Sequence, residues 1–163
     1  MAIETKHVVG HIDIVASLRA EILGKPVDVV DATRMLKMLR GRTHSVVTGV
    51  AAVDTQTGRS AVASRESRVT IRPLSDDELL GYIAQESPLD KAGAYAVQDL
   101  ELRPAEWWKG CYSNIVGLPL CRLLEMLRAL GHATPDPITL HAPAGCTVTC
   151  PFLPENQQPE RQQ

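Results

Sequence analysis

The chain has 163 residues, of which 44% are hydrophobic and 22% charged, and its formal net charge is −2. This is enough apolar sequence for one hydrophobic core, and we expect one principal folded domain. The balanced charge and an aromatic content of 4% argue against a surface for nucleic acid polymers. No apolar run approaches the ~18 residues that span a membrane, and the first residues do not resemble a signal peptide. These features predict a cytoplasmic protein.

The first predicted element is a strand over residues 8–15, whose β-branched side chains favour extended structure. It contains Asp13, an acid that is costly to bury unless it is paired or lies at a strand end. Asp13 is therefore either a solvated strand-end residue or a functional one. Residues 21–26 follow as a segment that bears a turn, and Pro26 prevents a helix from continuing through it.

A helix is predicted over residues 29–40. Asp28 can cap its N-terminus, and Asp31 adds negative charge to its first turn. Gly41 ends the helix as a C-terminal cap. One apolar stripe at helical spacing marks its buried face: Ala32, Met35, Leu36 and Leu39.

A block rich in Val, Thr and Ala follows this helix. It predicts three strands, over residues 45–54, 60–67 and 68–72, with a hairpin turn at residues 55–58. In the last strand apolar and polar residues alternate, which indicates one buried and one solvated face. The block reads as an antiparallel meander.

The next helix begins with a capping box, in which Ser75 caps the helix and Glu78 reaches back to it. It is predicted to end near Glu86. The stretch from Gln85 to Gln98 then combines acidic, basic, glycine and amide residues in an irregular connection. It is either a polar connection with a turn at Ser87-Pro88 or a loop that carries functional side chains.

The C-terminal part contains a predicted strand at residues 100–102 and a last helix that starts at Gly117-Leu118-Pro119 and stops at Gly131. Strands and helices that mix without strict alternation predict an α/β or α+β domain with a mixed sheet. Beyond Thr134, repeated prolines and a polar run predict a disordered tail.

Four cysteines are expected to be reduced thiols in a cytosolic chain: Cys111, Cys121, Cys146 and Cys150. Cys146 and Cys150, with His132 and His141 upstream, are either ligands of a structural zinc ion or free thiols in the tail.

Four stretches carry a family resemblance when they are taken in order. They are Gly24-Lys25-Pro26, then Gly41-Arg42-Thr43-His44 leading into Thr48-Gly49-Val50, then Leu89-Asp90-Lys91-Ala92-Gly93-Ala94-Tyr95 with Gln98, and finally Asn114-Ile115-Val116-Gly117-Leu118-Pro119-Leu120. In this order and at this spacing they resemble the signatures of the Maf-like nucleotide pyrophosphatases. The resemblance covers roughly residues 8 to 130.

This resemblance implies an α/β fold like that of the inosine triphosphatases, with a cleft between two lobes. It implies hydrolysis of a nucleoside triphosphate to the monophosphate and pyrophosphate, with a divalent cation that is usually Mg²⁺, and it implies a homodimer. Gln98 closes a Tyr-x-x-Gln segment and resembles the glutamine of the branch that prefers dTTP and UTP. An amide suits this role, because its donor and acceptor can pair with the edge of a pyrimidine.

The resemblance also implies roles for single residues. Asp13 is the nearest match to the general base of the family, an aspartate in a Gly-x-Asp-Thr motif, although Gly10 lies one residue too far and Ile14 replaces the threonine. Asp13 would activate water or hold the metal that does so. Lys25 is either a phosphate contact or an ordinary surface lysine beside a turn.

Arg42 either binds phosphate or caps the preceding helix. Asp90 and Lys91 either pair only with each other, which stabilises little when exposed, or help to bind metal and phosphate, as the resemblance implies. The predicted metal ligands are Asp13 and Asp90.

Family members carry a further N-terminal segment with a Ser-x-Ser-Pro-Arg-Arg motif, to which residues 16–19 are only weakly similar. We therefore expect residues 1–133 to form a Maf-like domain that is truncated at its N-terminus, and residues 134–163 to form the tail. Two hypotheses follow: a pyrophosphatase that prefers dTTP or UTP, and a non-catalytic nucleotide-binding or interaction module on the same fold.

Overall fold

A computed structural model describes residues 2–4, 7–84 and 87–134. Its elements in chain order are strands β1 (Ala2–Glu4), β2 (Val8–Leu18) and β3 (Glu21–Leu23), helix α1 (Val29–Leu39), strands β4 (Thr43–Asp54) and β5 (Ser60–Ile71), helix α2 (Asp76–Ile83), strand β6 (Ala105–Lys109), and helices α3 (Tyr112–Val116) and α4 (Leu120–Ala129). Two 3₁₀ turns, Ser87–Asp90 and Ala92–Ala94, precede β6. The predicted mixture of helices with a sheet is confirmed.

The described strands form one six-stranded sheet. Its order is β1-β2-β4-β5-β6, and β3 also pairs with β2. Strand β1 is antiparallel to residues 9–11 of β2, and β3 is antiparallel to residues 16–18 of the same strand. At the far edge β6 runs antiparallel to β5.

The first three residues of the predicted turn-bearing segment 21–26 form strand β3, which was not predicted. Three residues are too few to show an alternating pattern, so the sequence carried no signal for this strand. Leu18 pairs with Glu21, which leaves Arg19 and Ala20 as a two-residue turn. Their φ angles are 51° and 69°, a left-handed conformation that hairpin turns usually give to Asn or Gly.

Helix α1 confirms its prediction in detail. The Asp28 carboxylate accepts a hydrogen bond from the Asp31 amide at 2.8 Å, which satisfies one backbone N–H group that the first turn leaves without a partner. Gly41 follows the helix with φ of +67°, as a glycine after a helix end commonly does. The predicted stripe is buried: Ala32, Met35, Leu36 and Leu39.

Helix α2 begins with the predicted capping box. The Glu78 amide donates to Ser75 Oγ at 3.1 Å, and the Ser75 amide donates to the Glu78 carboxylate at 2.7 Å. The helix ends at Ile83. Its predicted end at Glu86, like Gln85 at the start of the following loop, lies outside the described residues.

Residues 60–71 form one continuous strand, so the predicted division into strands 60–67 and 68–72 was wrong. No Gly, Pro, Asn or Asp stands at the proposed boundary to reverse the chain. The buried positions alternate through it, at Ser67, Val69 and Ile71. β4 and β5 are therefore two long strands.

The strand predicted at residues 100–102 is instead a turn. The Asp99 carboxylate accepts hydrogen bonds from the amides of Glu101 and Leu102, at 3.0 and 2.7 Å. An aspartate that bonds backbone groups two and three residues onward closes a turn and competes with strand pairing. The start of the last helix also differs, because Pro119 is the N-cap of α4 and does not lie within its first turn.

The chain divides into two compact units. The first unit comprises the residues up to Asp13, residues 48–66 and the residues from Gly110 onward. Its core joins β2 and β4 to helix α4 and contains Val8, Ile12, Val50, Ala52, Met126 and Leu130.

The second unit comprises residues 14–47 and 67–109. Helix α1 packs against α2 and against both 3₁₀ turns. Its side chains with less than 2% exposure include Leu23, Leu36, Leu39, Val69, Ile71 and Leu79.

Residues 135–163 of the predicted tail, with His141, Cys146 and Cys150, lie outside the described residues. His132 Nε2 lies 3.2 Å from Asp54 Oδ2. Within the described residues, Cys111 and Cys121 are not joined in a disulfide. Within the described part of the chain, no helix combines the length and the apolar character that crossing a membrane requires.

Candidate functional site

The loop between α2 and β6 is built around Gly93. This glycine has φ of +71°, and a Cβ atom there would lie 3.1 Å from both Ala16 Cβ and Leu39 Cδ1. Any other residue would combine backbone strain with crowding. The Gly93 amide donates to the Gly24 carbonyl at 3.0 Å, so the loop is joined to the segment that carries Lys25.

Lys25, Asp90 and Lys91 form a charged group in the second unit. Lys91 Nζ donates to Asp90 Oδ1 at 2.5 Å. This hydrogen bond holds the pKa of the Asp90 carboxyl below its usual value, and the charges of Lys91 and Lys25 act in the same direction. Two cations and one ionised carboxylate therefore lie close together, with the Asp90 side chain 70% exposed.

Gln98 lies on the same loop and is exposed. Two buried tyrosines hold the backbone just before it. The Ala96 amide donates to Tyr82 Oη at 3.2 Å, and Tyr95 is 6% exposed. The loop thus presents an exposed amide side chain from an anchored backbone.

His44 and Tyr95 form a buried pair beneath this loop. His44 Nε2 lies 2.8 Å from Tyr95 Oη, and the two rings meet edge to face with centroids 5.5 Å apart. Burial lowers the pKa of His44 to about 4, so its imidazole is neutral at physiological pH. Burial also raises the pKa of Tyr95. Tyr95 is therefore a buried packing residue.

No role was predicted for His44, although the sequence contained a signal for its burial. His44, Val46, Thr48 and Val50 stand at alternate positions of β4, and all four are buried. A histidine in phase with apolar strand residues points into the core.

A second feature of this unit is an open cavity of about 480 Å³, which we call the arginine cavity. Three arginines contribute to it, and one of them, Arg42, also donates from Nη1 to the Met38 carbonyl at 3.1 Å. Arg42 therefore contacts the C-terminal end of α1, the helix that one of its two predicted roles has it cap. The cavity is lined by Ser17, Leu18, Arg19, Arg42, Thr43, His44, Ser45 and Arg68.

Asp13 is exposed on β2 and belongs to the first unit, whereas the other five predicted site residues belong to the second. The structure brings Lys25, Asp90 and Lys91 together and places Gln98 on the same loop. Arg42 lines the arginine cavity, which none of these four residues lines.

The described residues do not by themselves fit a metal site. They contain no group of three or more His, Cys, Asp or Glu side chains that could hold an ion. The Asp90 carboxylate, a predicted ligand, already accepts a hydrogen bond from Lys91.

Comparison with known proteins agrees with the four motifs. The family described as Maf-like protein matches residues 2–130. A protein of Geobacter sulfurreducens named dTTP/UTP pyrophosphatase is 43% identical over 119 residues, which are 73% of this chain and 62% of that protein. A protein of the same name from Thermomicrobium roseum is 42% identical over 144 residues, which are 87% of this chain and 64% of the relative.

A third relative with this name, from Acetivibrio thermocellus, is 44% identical over 114 residues, or 70% of this chain and 57% of the relative. The chain thus spans roughly six-tenths of the length of the curated relatives that it matches.

Proposed function

The chain belongs to the Maf-like protein family, and from this premise we propose that it is a nucleoside triphosphate pyrophosphatase acting on dTTP, UTP or a related, including a modified, nucleotide. The observation that carries the proposal is the anchored loop of the second unit, which joins two cations, a carboxylate and an exposed glutamine. Relatives at 42–44% identity that are named dTTP/UTP pyrophosphatase support the substrate class.

Each of these side chains has a chemical role in the proposal. The reaction adds water at the α-phosphorus, breaks the bond between this phosphorus and its bridging oxygen, and releases pyrophosphate. Lys25 and Lys91 stabilise the negative charge that the leaving pyrophosphate carries. Asp90 keeps Lys91 oriented through their hydrogen bond. Asp13 is the proposed base that takes the proton of the attacking water.

Gln98 is the proposed determinant of base specificity. Uracil and thymine present carbonyl acceptors and an imino donor, and one amide side chain can both donate to a carbonyl and accept from the imino group. A site that offers these groups discriminates strongly, because the wrong base leaves buried polar groups without partners.

A requirement for Mg²⁺ is part of the proposal: Asp13 and Asp90 are its proposed protein ligands, and phosphate groups of the nucleotide and water would complete its coordination. Hydrolysis with magnesium should stop when the ion is chelated and should return when it is added back. Activity that persists in excess chelator would remove the metal from the proposal.

A cytoplasmic location and a homodimer also belong to the proposal. Light scattering coupled to size-exclusion chromatography measures the mass of the particle directly. A mass close to that of one 17.8 kDa chain would contradict the homodimer.

The central experiment measures pyrophosphate release from dTTP, UTP, dCTP and dGTP. Lys25→Gln should lower kcat/KM by roughly ten- to a thousand-fold, the usual cost of losing one contact to developing charge. Lys37→Gln is the matched control, because it removes the same charge from an exposed position of α1. Equal effects of the two substitutions would contradict the role of Lys25.

Gln98→Glu tests specificity separately from catalysis. An ionised glutamate can only accept hydrogen bonds, so the preference for dTTP and UTP over dCTP should fall. An unchanged ranking would remove Gln98 from base recognition. Binding of dTTP without turnover of any triphosphate would select the non-catalytic module over the enzyme.

A further inference from the structure

The arginine cavity is lined by three arginines from separate parts of the second unit. Arg19 lies in the two-residue turn between β2 and β3, Arg42 directly before β4, and Arg68 within β5. Strand β4 lies between β2 and β5 in the sheet. Three neighbouring strands thus place three positive charges around one open space.

Among the residues that the structure describes, no acidic side chain lines the cavity. Among the described residues, Arg19 and Arg68 form no ion pair, and the Arg42 guanidinium donates only to a backbone carbonyl. Four other arginines of the chain do pair with a carboxylate: Arg34, Arg40, Arg72 and Arg122. Like charges gathered without a counterion repel one another and attract an anion.

The remaining lining suits an anion with several oxygen atoms. Ser17, Thr43 and Ser45 are hydroxyl residues in the lining, and hydroxyls can donate to phosphate oxygens. Thr43 Oγ1 also shares a hydrogen bond with Thr70 Oγ1 at 2.8 Å. Arginine matches the geometry of phosphate with two parallel hydrogen bonds. A volume of about 480 Å³ also lies within the range of small-molecule sites, ~300–1,000 Å³.

We propose that the arginine cavity is a binding site for phosphate-bearing anions of at least two phosphate groups, separate from the site formed by Lys25, Asp90, Lys91 and Gln98. None of these four residues lines the cavity. The inference concerns binding alone and holds whether or not the chain hydrolyses nucleotides. The anion is either free pyrophosphate or the phosphate chain of a nucleotide, and the two sources are separate arms of the test.

The test is calorimetric titration of the full chain with inorganic pyrophosphate at constant ionic strength. It is carried out with the Lys25→Gln variant, which removes the contribution of Lys25 in the other proposed site to pyrophosphate binding. Arg68→Gln in this background should weaken pyrophosphate binding about tenfold or more, because charge-assisted hydrogen bonds are lost. Arg65→Gln is the matched control, since it removes the same charge from the same strand at a position outside the cavity.

Arg19→Gln serves as a second cavity variant, and thermal unfolding verifies that each variant is folded. Weaker binding in both cavity variants with unchanged binding in the control supports the site. Equal affinities of Arg68→Gln and Arg65→Gln would overturn it, as would the absence of pyrophosphate binding in the Lys25→Gln protein. In the second arm, weaker binding of UTP by Arg68→Gln identifies nucleotide phosphates as the ligand, and unchanged binding of UTP identifies free pyrophosphate.

Discussion

The buried histidine of β4 should make the stability of the protein depend on pH. His44 is 3% exposed, its Nε2 atom contacts Tyr95 Oη, and its Nδ1 atom has no hydrogen-bond partner among the described residues. A charged imidazole in this position would lose its hydration without gaining a carboxylate partner. Burial accordingly lowers its pKa from 6.5 to about 4.

The sign and size of the effect follow from this difference. Between about pH 4 and 6.5 the unfolded chain binds a proton at His44 that the folded chain does not bind. The free energy of unfolding therefore falls as the pH falls through this window. A shift from 6.5 to about 4 corresponds to about 3 kcal/mol, most of it lost by about pH 4.5.

The assay is urea unfolding of the wild type and of His44→Gln, from about pH 7 to about pH 4.5. Glutamine keeps an amide near Tyr95 Oη but does not titrate, so the variant should lose less of its stability over this interval, by about 2 kcal/mol. The comparison uses the change with pH and not the absolute value, because the substitution also alters packing.

The lower limit of about pH 4.5 keeps the titration of the carboxylates mostly outside the measured interval, so that the change in stability reports on His44. The pKa of Glu78 is lowered to about 2 by its hydrogen bond with Arg72, and that of Asp90 is lowered by Lys91. A carboxyl group whose pKa is lowered by folding contributes stability, and this stability is lost only as the pH falls below the pKa of the same group in the unfolded chain, near 4. Equal pH slopes in the wild type and in His44→Gln would refute the reasoning.

Four further substitutions test the loop and the helices. Gly93→Ala should lower the free energy of unfolding by about 1–3 kcal/mol, because it adds backbone strain and crowding. Gly81→Ala in α2 should instead raise it by about 0.5–1 kcal/mol, because a Cβ atom there meets no atom within 4 Å. Equal effects of the two substitutions in urea unfolding would contradict the close packing around Gly93. Ser75→Ala should cost about 1 kcal/mol through the lost N-cap, and an unchanged melting curve would refute the contribution of the capping box. Asp90→Asn should change stability by less than ~1 kcal/mol, because its pair with Lys91 is exposed, while kcat/KM falls about tenfold or more; a large loss of stability would identify a structural role instead.

The helices were the part of the fold that the sequence predicted best. The limits of α1 followed from Asp28, the apolar stripe and Gly41, because caps and helical spacing are local signals that a few neighbouring residues determine. Strand β3 was missed since only its pairing with β2 defines it. Propensity alone also divided β5 in two, although no Gly, Pro, Asn or Asp stands at that boundary.

The charged loop could be anticipated from its motif, since Asp90, Lys91 and Gln98 stand within nine residues. The arginine cavity could not. Arg19, Arg42 and Arg68 are separated by more than twenty residues each, and only the order of strands β2, β4 and β5 brings them to one place. Sheet pairing is a long-range property that single-sequence patterns do not encode.

The hydrogen bond between the Gly93 amide and the Gly24 carbonyl has a consequence for the thermodynamics of ligand binding. It fixes the two segments that carry Lys25 and Lys91 while the site is still empty, and the tyrosine contacts at Ala96 and His44 fix the next part of the loop. A ligand then needs to order few backbone torsions, so little conformational entropy is lost on association. Binding at this loop should accordingly proceed with a small structural rearrangement and a heat-capacity change that reflects the ligand's own contact area.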